Sequence, residues 1–387
     1  MRGIKYVWEA CRSGYGQAAR AYIRGLRSAG IPLTCTPMVP GKRWGLYLEP
    51  YEARDFRDDE FGELCNLPIE YDTVIVHLIA EYYSRWRALE AGKTVVGMTV
   101  WETDTLQAHW RETLNRMDAL IVPCHWNREV FLANGITRPI GVVPHIHGTP
   151  CNSRPLYLDG VRDDDFVFYT IGTWTERKGL HLTLESYLRA FTGDDGVVLV
   201  IKTSNVNERR RRYTRWWWFV TRHIDTVRRE MHRMCCEHPS PARVLAITEP
   251  LSDSEMHGLH IRGDCYVSLT RAEGWGLGAY DAAFAGNPVI MTAHGGQLEF
   301  LPDRLGYLVD YRLIPVETRE PDADALRGHR WAAPDLAHGA RLMREVFTYP
   351  EAARERGRRL QAFVREKFKA VRIIRELLVF LETIHRP

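Results

Sequence analysis

Two short apolar runs, residues 264–269 and 288–291, bracket the stretch Glu273-Gly-Trp-Gly-Leu-Gly-Ala-Tyr-Asp281-Ala-Ala-Phe-Ala. The runs read as buried strands, and the segment between them as a glycine-rich turn followed by a short, alanine-rich helix. One acid, Glu273, falls on the loop and a second, Asp281, on the helix. Backbone amides at the start of a helix suit a diphosphate, and carboxylates suit hydroxyl groups.

The same alternation runs through the chain. Strand patterns occur at 5–8, 73–77, 94–100, 119–122 and 139–143. Helical patterns occur at 17–29, 81–91, 104–116 and 126–133, and residues 14–16 read as a turn. Around 144–165 the pattern gives way to Pro, Gly, Asn and Asp, which marks a linker. It then resumes, with strands at 166–171, 196–201 and 244–248 and helices at 179–190 and 253–261, the last capped by Ser252 or Asp253. Residues 334–385 are almost entirely helical in pattern. Strands alternating with helices imply parallel sheets covered on both faces, and 387 residues exceed one ordinary core. The expected fold is therefore α/β, with two doubly wound domains. Ligands bind at the carboxyl ends of such sheets.

Composition excludes more than it selects. A hydrophobic content of 45% with 26% charged residues is that of a globular chain, and a net charge of +3 demands neither nucleic acid nor a membrane. No apolar run approaches a membrane span, and the first residues have too short an apolar core for a signal peptide. The eight cysteines show no paired metal spacing. A reduced, cytoplasmic protein is the expectation.

The motifs in their order resemble retaining GT-B glycosyltransferases of the family-4 type. Glu273 to Asp281 resembles that family's Glu-(seven residues)-Glu signature. Ala285-Gly-Asn-Pro-Val-Ile and Gly295-Gly-Gln-Leu-Glu-Phe follow in the family's order. Gly172-Thr-Trp-Thr-Glu-Arg-Lys-Gly179 resembles its Gly-Arg-(four)-Lys-Gly element, and Trp101-Glu-Thr-Asp104 resembles one branch of it. The likeness spans most of 70–350 and is weak over 34–67 and 205–243. It implies two Rossmann-like domains facing a central cleft: an acceptor-side domain over 1–150, a nucleotide-sugar donor domain over 151–370, and a C-terminal helix, 371–387, crossing back to the first. The implied activity is metal-independent transfer of a sugar, with retention, from a nucleotide-diphosphate sugar to a hydroxyl of a glycan, lipid-linked or small-molecule acceptor. No cofactor is expected.

Residue roles follow from the same resemblance. Lys178 stands at the family's phosphate-binding lysine. Beside it Arg177 offers a planar fork for phosphate, and cations at a helix start call for an anionic partner. The position after Gly172, often Arg in relatives, is Thr173 here, so Arg177 is expected to supply the missing charge. Glu273 is implied to accept hydrogen bonds from donor-sugar hydroxyls. The backbone of Gly274, Trp275, Gly276, Leu277 and Gly278 would face phosphate or sugar. Asp281 replaces a Glu that binds ribose; as a shorter acid it reads either as a ribose ligand or as a helix-dipole partner in the first turn. Gly14, Tyr15 and Gly16 occupy the place of a glycine-rich loop near the donor phosphates, and Pro250 and Leu251 that of the base-selecting backbone. Many relatives carry a histidine after the strand at 94–100; here Trp101 and Glu102 follow it. In one reading Glu102 or Asp104 takes the histidine's place, with Trp101 and His77 as further acceptor-side candidates; in the other, Trp101 and Glu102 make a strand-end contact. Asp104 reads equally as a helix cap. His125, His145 and His147 are too irregularly spaced for a metal site, and Glu299 reads as a helix-start acid.

One stretch stands outside the resemblance. Residues 207–233 interleave arginines, including Arg209 to Arg212, with Trp216, Trp217 and Trp218. Either an amphipathic helix packs its Trp face on the donor domain, or the segment meets an anionic membrane surface or nucleic acid. Two further readings remain open at this point: transfer onto modified nucleic acid, and a catalytically silent nucleotide-sugar-binding protein.

Overall fold

The structure is a computed structural model that describes residues 1–41, 47–148, 153–206, 226–318 and 326–385. The chain divides into two compact units. The first comprises Met1–Trp101, Leu106–Gly148 and Lys367–Pro387; the second comprises Glu102–Thr105 and Thr149–Glu366. The four residues Glu102–Thr105 thus cluster with the second unit, although the alternating pattern assigns them to the first. Most of the arginine- and tryptophan-rich stretch, 207–225, lies outside the described residues.

The first unit is built on a seven-stranded sheet: β1 (Ile4–Glu9), β2 (Leu33–Pro40), β3 (Leu48–Pro50), β4 (Thr73–His77), β5 (Thr94–Met98), β6 (Ala119–Val122) and β7 (Ile140–Val142). Their order is β3-β2-β1-β4-β5-β6-β7, and only β3 runs antiparallel to its neighbour. All five residues of β4 and all four of β6 are buried, as strands covered on both faces require. Helices α1 (Gly14–Ser28), α2 (Tyr83–Leu89), α3 (Ala108–Leu114) and α4 (His125–Ala133) connect the strands. Strands β2 and β3 are absent from the sequence reading. Pro37 and Pro40 within β2 each lack a ladder donor, and proline inside a run argues against a strand. Helix α1 begins at Gly14 rather than residue 17, because Ser13 caps it by accepting the Gly16 amide at 3.0 Å.

The second unit carries a six-stranded parallel sheet: β8 (Phe166–Ile171), β9 (Val197–Lys202), β10 (Arg243–Ile247), β11 (Cys265–Ser268), β12 (Val289–Thr292) and β13 (Tyr307–Val309). The order is β10-β9-β8-β11-β12-β13, so the winding reverses between β8 and β11. The carboxyl ends of these two neighbours form the topological switch point, where open α/β sheets bind ligands. A separate antiparallel hairpin pairs β14 (Tyr311–Pro315) with β15 (Arg330–Pro334). The helices are α5 (Leu180–Ala190), α6 (Thr226–Cys236), α7 (Asp253–Arg262), α8 (Leu277–Ala285), α9 (Leu336–Thr348) and α10 (Pro350–Lys367). Ser252, not Asp253, caps α7: its hydroxyl accepts the Glu255 amide at 3.2 Å while Glu255 accepts the Ser252 amide at 2.8 Å. The core gathers Phe168, Trp174, Leu184, Tyr187 and Phe191 beneath the sheet.

The last helix, α11 (Ala370–His385), belongs to the first unit and buries Ile373, Ile374, Leu377 and Leu381 there. Its far end is held where Thr73 Oγ1 lies 2.8 Å from His385 Nε2. Replacing the fully buried Leu377 with Ala leaves a cavity under this helix. We expect Leu377→Ala to cost about 2–5 kcal/mol, read as a lowered midpoint of urea unfolding.

Candidate functional site

The loops that leave β8 and β11 are tied together through Arg177. Its carbonyl accepts the Arg271 amide at 2.8 Å and the Thr270 hydroxyl at 3.1 Å. Its guanidinium returns a bond to the Ala272 carbonyl at 3.0 Å. Behind it Trp174 is fully buried and anchors the first loop in the core, and Thr175 Oγ1 accepts the Lys178 amide at 3.1 Å just before α5 begins.

This bracing sets a row of alternating charge. Lys178 Nζ donates to both oxygens of Glu273, at 2.7 and 2.9 Å. Arg177 Nη1 lies 3.8 Å from Glu273 Oε2 and 3.4 Å from Glu102 Oε1. The row therefore runs Glu102, Arg177, Glu273, Lys178. The Glu273 side chain is 10% exposed, those of Lys178 and Arg177 are 26% and 28% exposed. Cations partly withdrawn from water favour anionic partners, and both keep part of their surface in solvent.

Glu273 is held from behind. Its carbonyl accepts the Gly296 amide at 2.8 Å. A Cβ at Gly296 would stand 1.9 Å from the Gly274 carbonyl oxygen, so only glycine permits this contact. Gly276, whose φ of 92° is a left-handed value, is the N-cap of α8, which presents the amides of Leu277 and Gly278 at its N-terminus. Trp275 contributes backbone alone: its ring is buried, 5.1 Å from Tyr280 and 5.4 Å from Phe300 between centroids.

Asp281 sits in the second turn of α8, not the first, which removes the helix-dipole reading. It is half-buried near Tyr169 and Tyr266, and desolvation pushes its carboxyl from the ordinary 3.8 up to about 7. Thr173 is exposed next to Gly172. Pro250 and Leu251 follow β10 at the same carboxyl edge of the sheet, beside Glu249, which pairs with Arg228 at 3.1 Å.

Several residues singled out from sequence have other work. Gly14, Tyr15 and Gly16 form the first turn of α1 rather than a loop. A Cβ at Gly16 would lie 2.0 Å from the Cys11 carbonyl oxygen, so its own chain, not a ligand, requires glycine there. The Tyr15 hydroxyl is 2.8 Å from Thr99 Oγ1 and thus braces the end of β5. His77 is buried against Tyr6, Tyr15, Tyr22 and His145, with its Nδ1 2.8 Å from the Tyr6 hydroxyl. Burial holds its pKa well below the ordinary 6.5, so it is a neutral core histidine. Trp101 is buried against Trp110 at 4.5 Å, and its backbone exchanges two hydrogen bonds with the Asn127 amide. Asp104 caps no helix, since α3 begins at Ala108; it accepts the Arg330 amide at 2.7 Å. His125 is exposed while His145 is buried, so these two do not converge. Among the described residues no group of three or more His, Cys, Asp or Glu side chains could hold a metal ion. Nor is any helix among them long and apolar enough to cross a membrane.

Residues 221–377 match the model of a family described as family 4 glycosyltransferase in conflict systems. Solved structures share the fold across the chain. Sucrose-phosphate synthase from Thermosynechococcus elongatus has a TM-score of 0.67 at 14% identity, with 99% of each chain covered. UDP-forming α,α-trehalose-phosphate synthase from Burkholderia xenovorans has a TM-score of 0.63 at 12% identity, with 100% of each covered. HepE from Anabaena, in complex with UDP and glucose, has a TM-score of 0.62 at 13% identity, with 99% of this chain and 100% of that one covered. At such identities the likeness establishes the GT-B fold alone. No curated protein sequence matches the chain.

The raised Asp281 carboxyl has a measurable consequence. Between 3.8 and about 7 the native state keeps a proton that the unfolded chain has lost. Its contribution to stability is thus fully present below pH 3.8 and is lost as pH rises through about 7. We expect Asp281→Asn to flatten the fall in melting temperature of the wild type between pH 5 and pH 8, measured by scanning calorimetry; parallel profiles would contradict it.

Proposed function

We propose that this chain, which has the GT-B fold, is a family-4-type glycosyltransferase that moves a hexosyl unit from a UDP-sugar to a hydroxyl acceptor with retention at the anomeric carbon. The charge row Glu102, Arg177, Glu273, Lys178 at the carboxyl ends of β8 and β11 carries this reading. The UDP complex of HepE and the UDP-forming synthase support the choice of nucleotide.

When a sugar leaves UDP, negative charge grows on the diphosphate. Fixed cations and amides at that point lower the barrier, because they stabilise the transition state more than the bound donor. The diphosphate takes the place of the carboxylates on Lys178 and Arg177, with the α8 amides completing the cradle. Glu273, released from Lys178, then accepts hydrogen bonds from donor-sugar hydroxyls. Asp281 faces the ribose. The bond from the anomeric carbon to the diphosphate breaks, and a bond to the acceptor oxygen forms on the same face. The acceptor proton passes to the leaving diphosphate, and Glu102 orients the acceptor hydroxyl. Two protein cations supply the charge stabilisation, so the reaction calls on no metal.

The test is UDP release across a panel of UDP-sugars. Lys178→Ala is expected to lower kcat by roughly 100- to 1,000-fold, the usual cost of removing one transition-state donor. Glu273→Gln should act chiefly on the same step, and chelation of divalent metals should leave turnover unchanged. A Lys178→Ala variant within about threefold of wild type would remove the basis of the proposal.

An anionic acceptor or acceptor carrier is a second reading, favoured by the arginines at 209–212 next to three tryptophans. The test is charge reversal at these four positions, followed by binding to duplex DNA and to anionic vesicles over a salt series. Steep salt dependence that the reversal abolishes on one of the two surfaces identifies the carrier; weak, unchanged binding to both rejects it.

A further inference from the structure

Both carboxylates of the charge row are backed by one strand. Strand β15 hydrogen-bonds to the loop that carries Glu273, with the Ala332 amide 2.9 Å from the Arg271 carbonyl oxygen. The Arg271 guanidinium lies 5.3 Å over the Trp331 ring, which is buried. The residue that opens the same strand, Arg330, gives its amide to Asp104. The preceding residue, His329, has its Nδ1 2.8 Å from Thr103 Oγ1. Thr103 and His329 are 2% and 3% exposed, so this bond is sealed from water.

The direction of the bond follows from the hydroxyl. Thr103 has one hydroxyl proton, and the Thr105 carbonyl accepts it at 3.1 Å. With that proton donated to the Thr105 carbonyl, the Thr103 oxygen accepts from a His329 ring protonated on Nδ1. Burial, against the pull of Asp104, keeps the His329 pKa below the ordinary 6.5 and the ring neutral. The strap Glu102–Thr105 is thus fixed to the hairpin at two successive points, Thr103 to the His329 side chain and Asp104 to the Arg330 backbone, while the Thr103 hydroxyl closes onto the Thr105 carbonyl within the strap. Glu102 is the first residue of this strap, and its carboxylate reaches Arg177.

We propose that Thr103 and His329 form a clasp that positions Glu102, so that the β14/β15 hairpin sets the spacing of the two carboxylates that flank Arg177. His329 and Thr103 are positioning residues, acting through Glu102. The inference rests on the glycosyl-transfer reading for its kinetic consequence but not for the clasp itself. Residues 319–325 lie outside the described residues.

Two measurements test it. The first is hydrogen exchange of the peptide containing 102–105. Thr103→Val and His329→Leu should exchange faster there, while Thr103→Ser and His329→Asn, which keep a hydroxyl and a donor at the Nδ1 position, should match wild type. Unchanged exchange in both apolar variants would overturn the clasp. The second is a cycle with Glu102→Gln, read as kcat and KM for sugar transfer. His329→Leu alone should lower kcat by about fivefold, the worth of one buried hydrogen bond, with donor KM nearly constant. In the Glu102→Gln background the same change should have no further effect. Additive losses would instead assign His329 a purely structural role and overturn the positioning inference. If wild type turns over no UDP-sugar, the functional reading fails, and the exchange data still decide the clasp.

Discussion

Much of the second unit is arranged so that Lys178 and Arg177 can be held out of bulk water without a ligand. Glu273 neutralises Lys178 through two short bonds and Glu102 shares Arg177. Each cation is partly withdrawn from water, and its carboxylate partners offset part of the hydration it loses. Pairing with carboxylates, of which Glu273 is itself fixed by a backbone bond to Gly296, keeps the cations in place while part of each stays exposed.

That arrangement depends on sheet topology more than on the charged residues. The order β10-β9-β8-β11-β12-β13 puts β8 beside β11 although almost a hundred residues separate them in the chain. Neighbouring carboxyl ends let the Arg177 carbonyl accept from Arg271 and Thr270. These bonds are what bring a lysine at 178 within reach of a glutamate at 273. The glycine pair 295–296 completes the frame by allowing one loop backbone to lie directly on another. The β14/β15 hairpin adds the fourth charge, because β15 touches the Glu273 loop and the Glu102 strap at once.

Some of this was legible in the residues and some was not. Strands at Thr73–His77, Ala119–Val122 and Phe166–Ile171 stand where the apolar runs place them, because a strand buried on both faces leaves a continuous apolar signal. Strand β2 was hidden by its own prolines. The Gly14-Tyr-Gly16 turn proved to be helix, since a serine cap outweighs two glycines. His77 looked like a cleft residue at a strand end, but three tyrosines and a second histidine enclose it. Asp104 and Trp101 drew attention beside Glu102, yet one serves a backbone amide and the other a core. A strand end says where a residue lies along the sheet; it does not say which way its side chain faces.

The sequence by itself determined the class of fold, the two windings and the motif positions that can carry phosphate and sugar chemistry, because periodicity, glycine punctuation and charge are local properties. Only the tertiary structure decided which charges meet. Glu102 met Arg177, Asp104 and Thr103 were committed to a hairpin more than two hundred residues away, and desolvation raised the Asp281 carboxyl above its ordinary range. Those outcomes depend on contacts and desolvation across distant segments, which no local pattern encodes.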